Sequence, residues 1–476
     1  MEPKFPNNGC GLMVAHLPRL VLAAPSTGSG KTTISSGLMA ALRSSGLDVS
    51  GHKVGPDYID PGFHALATGR PGRNLDPHLV GEERIVPLLL HGARGADIAV
   101  VEGVMGLFDG RLGTDGFAST AHVARLTQTP VVLVLDVGRA SRTIAAVAAG
   151  LAGFDPAVRV GGVILNRAGS TRNTAEICRA LEGAGLPVVG IVPRRDDLVA
   201  PSRHLGLVTA AELPDAVALV ERLGEHVGQH VDLTAVVELA NTAPVLREAP
   251  WDPAAEVTPV AGMPVVAMAS GAAFTFRYPE TAELLTAAGC RVVKFDPLAD
   301  PLPEGTRALY LGGGFPEEHA HRLAANAPLL AQVREAIADG LPTVAECAGL
   351  LYLGRELDGV PMVGALPTIA AMAPRLTLRY PSAKAVGDDL LSRVGEVVTG
   401  HEFHRTTTDP SAGTDGLHAA WTIDGADFGF CGPSVHASYL HVHWAGHPRL
   451  AQRLADAAAR SDGGKTGGLI ASTAGL

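Results

Sequence analysis

The first half of the chain alternates short apolar runs with alanine-rich stretches of helical spacing. LVLAA (20–24), IAVVE (98–102), VVLVLD (131–136) and GVILN (162–166) are apolar at nearly every position rather than at every second one. Continuous apolar character predicts strands buried on both faces, as in a parallel sheet covered by helices. Residues 35–43 and 142–151 have the spacing of the covering helices, and 49–54 reads as a further strand. A doubly wound α/β domain is expected. Between about 236 and 263 the pattern loosens and prolines punctuate it, which reads as a linker. A second α/β pattern follows, with strands VVAMA (265–269), RVVKF (291–295), ALYLG (308–312) and TVAEC (343–347), and helical stretches at 278–288 and 328–339. The expected organisation is an N-terminal extension (1–18), a first domain (19–240), a linker (241–262), a second domain (263–455) and an unfolded Gly/Ser/Thr-rich tail (456–476).

Composition narrows the class. The 476 residues allow several domains at roughly 100–200 residues each. A hydrophobic share of 46% argues against disorder, and a net charge of −10 argues against a nucleic-acid surface. No uninterrupted apolar run reaches the roughly 18–20 residues of a membrane helix. His16, Pro18 and Arg19 interrupt the early apolar stretch, unlike a signal peptide. The five cysteines are scattered without close pairs, which excludes a disulfide framework or a CxxC zinc site and suits a reducing cytoplasm.

The clearest local motif is PSTGSGKTT (25–33), between a strand and a helix. Its backbone N–H groups are placed to wrap a polyphosphate, Lys31 to reach the outer phosphates and Thr32 to offer a hydroxyl to Mg²⁺. Pro25 stands where the strict GxxxxGK[ST] pattern has glycine. Glu102 ends a buried strand and points into the crevice at the sheet's carboxyl edge, a natural place for a Mg²⁺ carboxylate. GPDYIDPGFH (55–64) suits substrate or metal contact, or equally a loop with helix-capping aspartates.

The second half carries a different chemistry. TVAECAGLL (343–351) has the grammar of a nucleophile elbow, with Cys347 between a strand and a helix whose N-terminus would lower the thiol pKa. The glycines of LGGGFPE (311–317) offer N–H groups for an oxyanion hole. Either His441 or His443 in SYLHVHW (438–444) can be the base. Seven of the 18 histidines fall between His401 and His447, but no third ligand at a telling spacing favours zinc. A phosphate loop and a Cys/His/oxyanion set together predict an amidotransferase that draws ammonia from glutamine and activates a carboxylate with ATP.

These motifs resemble those of the cobyrinate or hydrogenobyrinate a,c-diamide synthases of cobalamin biosynthesis. The resemblance covers about 20–446 and rests on KVGPDYIDPGFH (53–64), NLD (74–76), VEGVMGLFDG (101–110), RHLGL (203–207), GGGFPEEHA (312–320), AECAGLLYL (345–353) and GHEFH (400–404). It implies a dethiobiotin-synthetase-like P-loop domain followed by a class I glutaminase domain. The substrates implied are ATP, L-glutamine and a corrin polycarboxylate, with Mg²⁺ as cofactor. By resemblance Gly28, Gly30, Lys31 and Thr32 bind the phosphates, Asn166 reads adenine, and Thr32, Glu102 and Asp57 hold the metal. Asp57, Tyr58, Asp60 and Asp109 handle the corrin carboxylate and its acyl phosphate. Cys347 matches the nucleophile, His441 rather than His443 the base, and Gly313 and Gly314 the oxyanion hole. A cytoplasmic enzyme is implied, with no nucleic-acid or membrane partner, and a homodimer is a compatible assembly.

The chain departs from the family pattern at Gly271, Arg277 and Arg379, and no HxE follows the base. Nickel-sirohydrochlorin a,c-diamide synthase shares most of the motifs. A P-loop regulatory ATPase with a non-catalytic glutaminase-like domain is the alternative from another class.

Overall fold

The computed structural model describes residues 16–198, 202–203, 206–414 and 416–461. The chain divides into two compact units, Met1–Trp251 and Asp252–Leu476. Among the described residues no helix is long and apolar enough to cross a membrane.

The first unit is built on a seven-stranded sheet, parallel throughout. Its strands are β1 (Arg19–Ala23), β2 (Val49–Val54), β3 (Arg73–Leu75), β4 (Ile98–Glu102), β5 (Val131–Asp136), β6 (Val160–Ala168) and β7 (Val188–Pro193). The order β3-β2-β4-β1-β5-β6-β7 reverses direction at β1. Ligands of open α/β sheets bind at such a switch point, outside the carboxyl ends of the strands. The loop after β1 and the helix α1 (Lys31–Ser44) stand there. Every residue of β1 and β4 is buried, as their apolar runs predict, and so is every residue of β2, although its sequence VSGHKV is half polar. Helix α2 (Asp60–Thr68) follows β2 and ends on Gly69 in the left-handed region.

The second unit has a six-stranded sheet in the order Arg291–Phe295, Val265–Ala269, Thr306–Leu311, Thr343–Glu346, Val435–Ser438, Phe430–Cys431. Its first five strands are parallel and the last edge strand is antiparallel. Two four-stranded, mainly antiparallel sheets fill the stretch between the nucleophile helix and the last parallel strand. The apolar pattern did not announce them. Strand Ile369–Arg379 buries only Ala370, so it shows no clean alternation.

The expected boundaries need two corrections. Residues 241–251 are not a linker but part of the first unit: Ala243, Leu246 and Trp251 are buried. The Trp251 N–H donates to Pro87 O, and His91 meets the indole edge-on at 5.0 Å. Buried Arg19 donates to Pro244 O at 2.7 Å. The prolines there mark packed, extended chain. The tail likewise starts later than 456. Helix Arg449–Arg460 buries Leu450, Leu454 and Ala458, an i, i+4, i+8 apolar stripe. Residues 1–15 and 462–476, and His204 and Leu205 of the 203–207 motif, lie outside the described residues.

Candidate functional site

Two sites form, one in each unit. In the first, the loop after β1 turns through Gly28 and Gly30, both with positive φ (83° and 87°). A Cβ on Gly30 would stand 2.2 Å from Asn166 Nδ2 and would displace that amide, and the positive φ itself favours glycine. Asn166, at the end of β6, donates to Ser29 O at 3.0 Å and accepts from the Arg167 amide through its side-chain oxygen. Its amide thus braces the phosphate loop in this structure. Arg167, at the unusual φ of 57°, donates to Gly28 O and pairs with Asp136. Lys31 lies against the loop, donating to Ser26 O and Met105 O. Burial, then the charge of Lys53, pulls its ammonium down to about 8.

Glu102 is the hub of this site. Parallel pairing sets Leu22 of β1 and Lys53 of β2 opposite it, and it is fully buried. One carboxylate oxygen accepts from Thr32 Oγ1 (2.7 Å) and Lys53 Nζ (3.0 Å), the other from Ser35 Oγ (2.5 Å) and His64 Nε2 (2.7 Å). Both oxygens are therefore engaged by protein donors in this arrangement. Lys53 also lies 2.6 Å from Asp60. Burial alone would strip Lys53 of its proton, but Asp60 and Glu102 hold it charged. Burial opposes ionisation of Glu102 too, yet Lys53 and then His64 hold it below the usual carboxylate range. One ammonium cannot neutralise two buried acids, and burial, with Asp57 and Glu102 nearby, pushes Asp60 upward.

The other acids have local tasks. Asp57 accepts from the Ile59 amide at 2.7 Å, and Asn74 Nδ2 pins the loop through Gly55 O and Asp57 O. Asp76 caps the next short helix through the His78 amide. Those bonds give the NLD motif its physical reason. Asp109 accepts from the Gly106 amide at 3.0 Å, and its charge reaches Lys31. Tyr58 is half-buried in the same loop. Lys31, Thr32, Lys53, Asp57, Asp60, Glu102 and Asp109 thus form one cluster, while Asn166 stands on the other flank of the loop. Sequence reasoning assigned nothing to Lys53, His64 or Ser35, although the first two frame the 53–64 motif.

In the second unit, Cys347 follows strand Thr343–Glu346 and precedes helix Ala348–Leu353. Its φ of 49° and ψ of −98° are the strained geometry of an elbow. The Cys347 amide donates to Ser438 O at 2.8 Å, which ties the elbow to the neighbouring parallel strand. The chain then continues through Tyr439 and Leu440 to His441. The expectation of a thiol lowered by a helix end is corrected: burial, then the Glu317 carboxylate, pushes Cys347 up. The helix is only 6 residues long, and the Ala348 amide pulls the other way too weakly to prevent it.

His441 is buried, and burial, then His404, brings it down to about 3, so it is a neutral imidazole. Its ring stacks on His401 at 4.8 Å, and backbone bonds in both directions join these two residues. A Cβ on Gly313 would stand 2.3 Å from His441 Cε1, so the missing side chain makes room for the imidazole. The Gly313 amide, however, donates to Phe276 O at 3.0 Å in a bridge that Phe276 reciprocates. Gly313 is therefore corrected from oxyanion donor to spacer. Gly314 is forced to be glycine differently, since a Cβ would meet Ala273 O at 2.1 Å. His443 stacks on Tyr278 at 4.2 Å and faces Glu280 at 3.6 Å.

Arg379 and Glu346 complete the surroundings. Arg379 pairs with buried Glu402 at 2.6 Å, and its guanidinium lies over Phe428. Glu346, missed from the sequence, accepts from Tyr310 Oη (3.1 Å) and Trp444 Nε1 (3.4 Å), and burial lifts its carboxyl to about 8. Among the described residues no cluster of His, Cys, Asp and Glu is placed to hold a metal by itself.

Fold and sites together define a two-unit glutamine amidotransferase with a P-loop nucleotide-binding unit. Residues 20–208 match the CobQ/CobB/MinD/ParA nucleotide binding domain, and 265–449 the CobB/CobQ-like glutamine amidotransferase domain. The chain is 56% identical to hydrogenobyrinate a,c-diamide synthase of Thermobifida fusca, covering 93% of this chain and 97% of that one. Identity to the enzyme of that name from Streptomyces coelicolor is 51%, covering 92% and 97%. To cobyrinate a,c-diamide synthase of Synechococcus sp. it is 40%, covering 92% and 98%. The chain belongs to the cobyrinate/hydrogenobyrinate a,c-diamide synthase family. It is a carbon–nitrogen ligase that takes its amide nitrogen from glutamine.

Proposed function

We propose that this enzyme amidates the a and c side-chain carboxylates of hydrogenobyrinate in turn, each through an acyl phosphate made with ATP. The observation that supports it most is the cluster of two lysines and four acids at the carboxyl edge of the first sheet. A carboxylate does not condense with ammonia in water, so it must first become an electrophile. Lys31, charged at neutral pH, neutralises the outer phosphates during transfer. Lys53 presents a second cation beside Asp60, and Asp57, Tyr58 and Asp109 border the place where a substrate carboxylate meets the phosphate.

The oxygen-rich donors fit Mg²⁺, a hard ion. Thr32 and Asp57 would hold it, with Glu102 accepting the Thr32 proton so that the hydroxyl lone pairs face outward; the ion would neutralise phosphate charge. Asn166 reads the base only after releasing Ser29 O, so nucleotide binding and loop release are coupled in this reading.

In the second unit Cys347 attacks the glutamine amide carbon, and neutral His441 takes the thiol proton and returns it to the leaving ammonia. The Ala348 and Gly314 amides are the proposed oxyanion donors. The higher identity to the hydrogenobyrinate enzymes favours the metal-free corrin. Incubation with ATP, Mg²⁺, glutamine and, separately, hydrogenobyrinate, cobyrinate and nickel-sirohydrochlorin tests this by product mass. Two successive exchanges of hydroxyl for amino on hydrogenobyrinate are expected; turnover of another tetrapyrrole alone would overturn the assignment.

A further inference from the structure

Glu346 presents a problem that the proposed glutaminase chemistry does not use. It is a buried acid, 4% exposed, in the middle of an apolar layer, immediately before the nucleophile. A buried carboxyl is costly unless its oxygens are satisfied, and a leucine of similar volume would avoid that cost. Two donors from separate parts of the unit converge on it. Tyr310 comes from strand Thr306–Leu311, and its hydroxyl lies 3.1 Å away. Trp444, wholly buried, reaches it through the indole N–H at 3.4 Å. The nearby Val442 backbone amide favours the ionised carboxyl, though less than burial opposes it. The Tyr310 and Trp444 rings meet edge-on at 5.3 Å and wall the carboxyl in.

The order along the chain gives this convergence its meaning. Glu346 is one residue before Cys347, and Trp444 is three residues after His441. Strand pairing fixes the neighbouring strand as far as Ser438, opposite Glu346. From Tyr439 onward the chain has left that strand, and its hold on the nucleophile's strand passes to side chains. We propose that Glu346 is a positioning residue of the glutaminase centre, its carboxyl tying the His441–Trp444 segment to the strand that delivers Cys347. This rests on the reading of Cys347 and His441 as the glutaminase pair. Glu346 acts through the Trp444 indole and touches no reacting atom.

Glutamine hydrolysis by the full-length Glu346→Gln enzyme tests it. The amide keeps the shape, but its nitrogen cannot accept, so the bond from either Tyr310 or Trp444, which approach different oxygens, is lost. A small displacement of the base should lower kcat by about 10²-fold and leave KM within roughly twofold, because substrate binding is spared. Trp444→Phe removes the indole N–H and should lower kcat alone in the same way. If both act through one contact, the double variant loses no more than the worse single one. ATP-dependent synthesis from ammonium salts and the thermal midpoint report folding. Should Glu346→Gln fail them, Trp444→Phe and Tyr310→Phe carry the test. Unchanged kcat in the folded variants overturns the proposal, as does a rise in KM at constant kcat. A Cys347→Ala enzyme that still hydrolyses glutamine would instead overturn the reading beneath it.

Discussion

Lys53 and Glu102 stand opposite one another on neighbouring parallel strands, ammonium to carboxylate 3.0 Å, in a layer that excludes water. The lysine also holds Asp60, so a single cation secures two acids on two elements.

Replacing Lys53 with Met leaves both acids without their cation. Loss of one partner of a buried pair costs about 3–5 kcal/mol. In the native protein Glu102 sits below its unfolded pKa, so its contribution is present above the ordinary carboxylate range and is lost on acidification. In Lys53→Met the sign inverts: carboxyls raised above their unfolded values destabilise at neutral pH, and the deficit shrinks as pH falls. Denaturant unfolding at pH 7.5 and 5 should show the gap between native and variant closing at the lower pH.

Burial, then the charge of Lys53, brings the Lys31 ammonium down to about 8. It is cationic below that value and neutral above it. The kcat/KM for ATP, which reports the free enzyme, should therefore fall as pH rises through about 8. A Lys31→Arg variant, whose guanidinium stays charged, should lose that limb even if its maximum is lower. A profile shared by both enzymes would contradict the assignment.

Cys347→Ala should abolish glutamine-dependent synthesis and keep synthesis from high ammonium, whereas Lys31→Ala should lose both. Product formation from the two nitrogen sources separates the cases. Loss of both activities in Cys347→Ala would sink the two-centre reading.

Gly313→Ala places a methyl 2.3 Å from His441 Cε1 and 3.1 Å from Phe276 Cβ. The imidazole must move, and glutaminase turnover should drop about 10²-fold. The ammonium-dependent reaction provides the comparison.

Much of this was legible in the chain. The buried strands, the phosphate loop and the Cys347 elbow each depend on a short contiguous pattern, and the structure has them where the pattern predicts. What stayed hidden depends on pairing between distant segments. Lys53 lies in an otherwise ordinary strand sequence, and only the register of β2 against β4 reveals that it faces Glu102. Gly313 read as an oxyanion donor because the sequence cannot show that Phe276 O takes its amide. Glu346 gains its donors from residues 36 and 98 positions away. Helix Arg449–Arg460 is a different kind of miss. Its apolar stripe is local, but glycine-rich sequence follows it directly, and composition does not mark where packed helix ends.

The packing of Trp251 against His91 and Pro87 also bears on how the two halves can be handled. A scissor placed at 240, where the prolines invite it, would tear an anchor out of the ATP unit and leave Pro244 and Trp251 on the wrong fragment. The first compact unit runs on through Trp251, and the second follows it. Separate expression of either half, or its transplantation onto another partner, should be cut there.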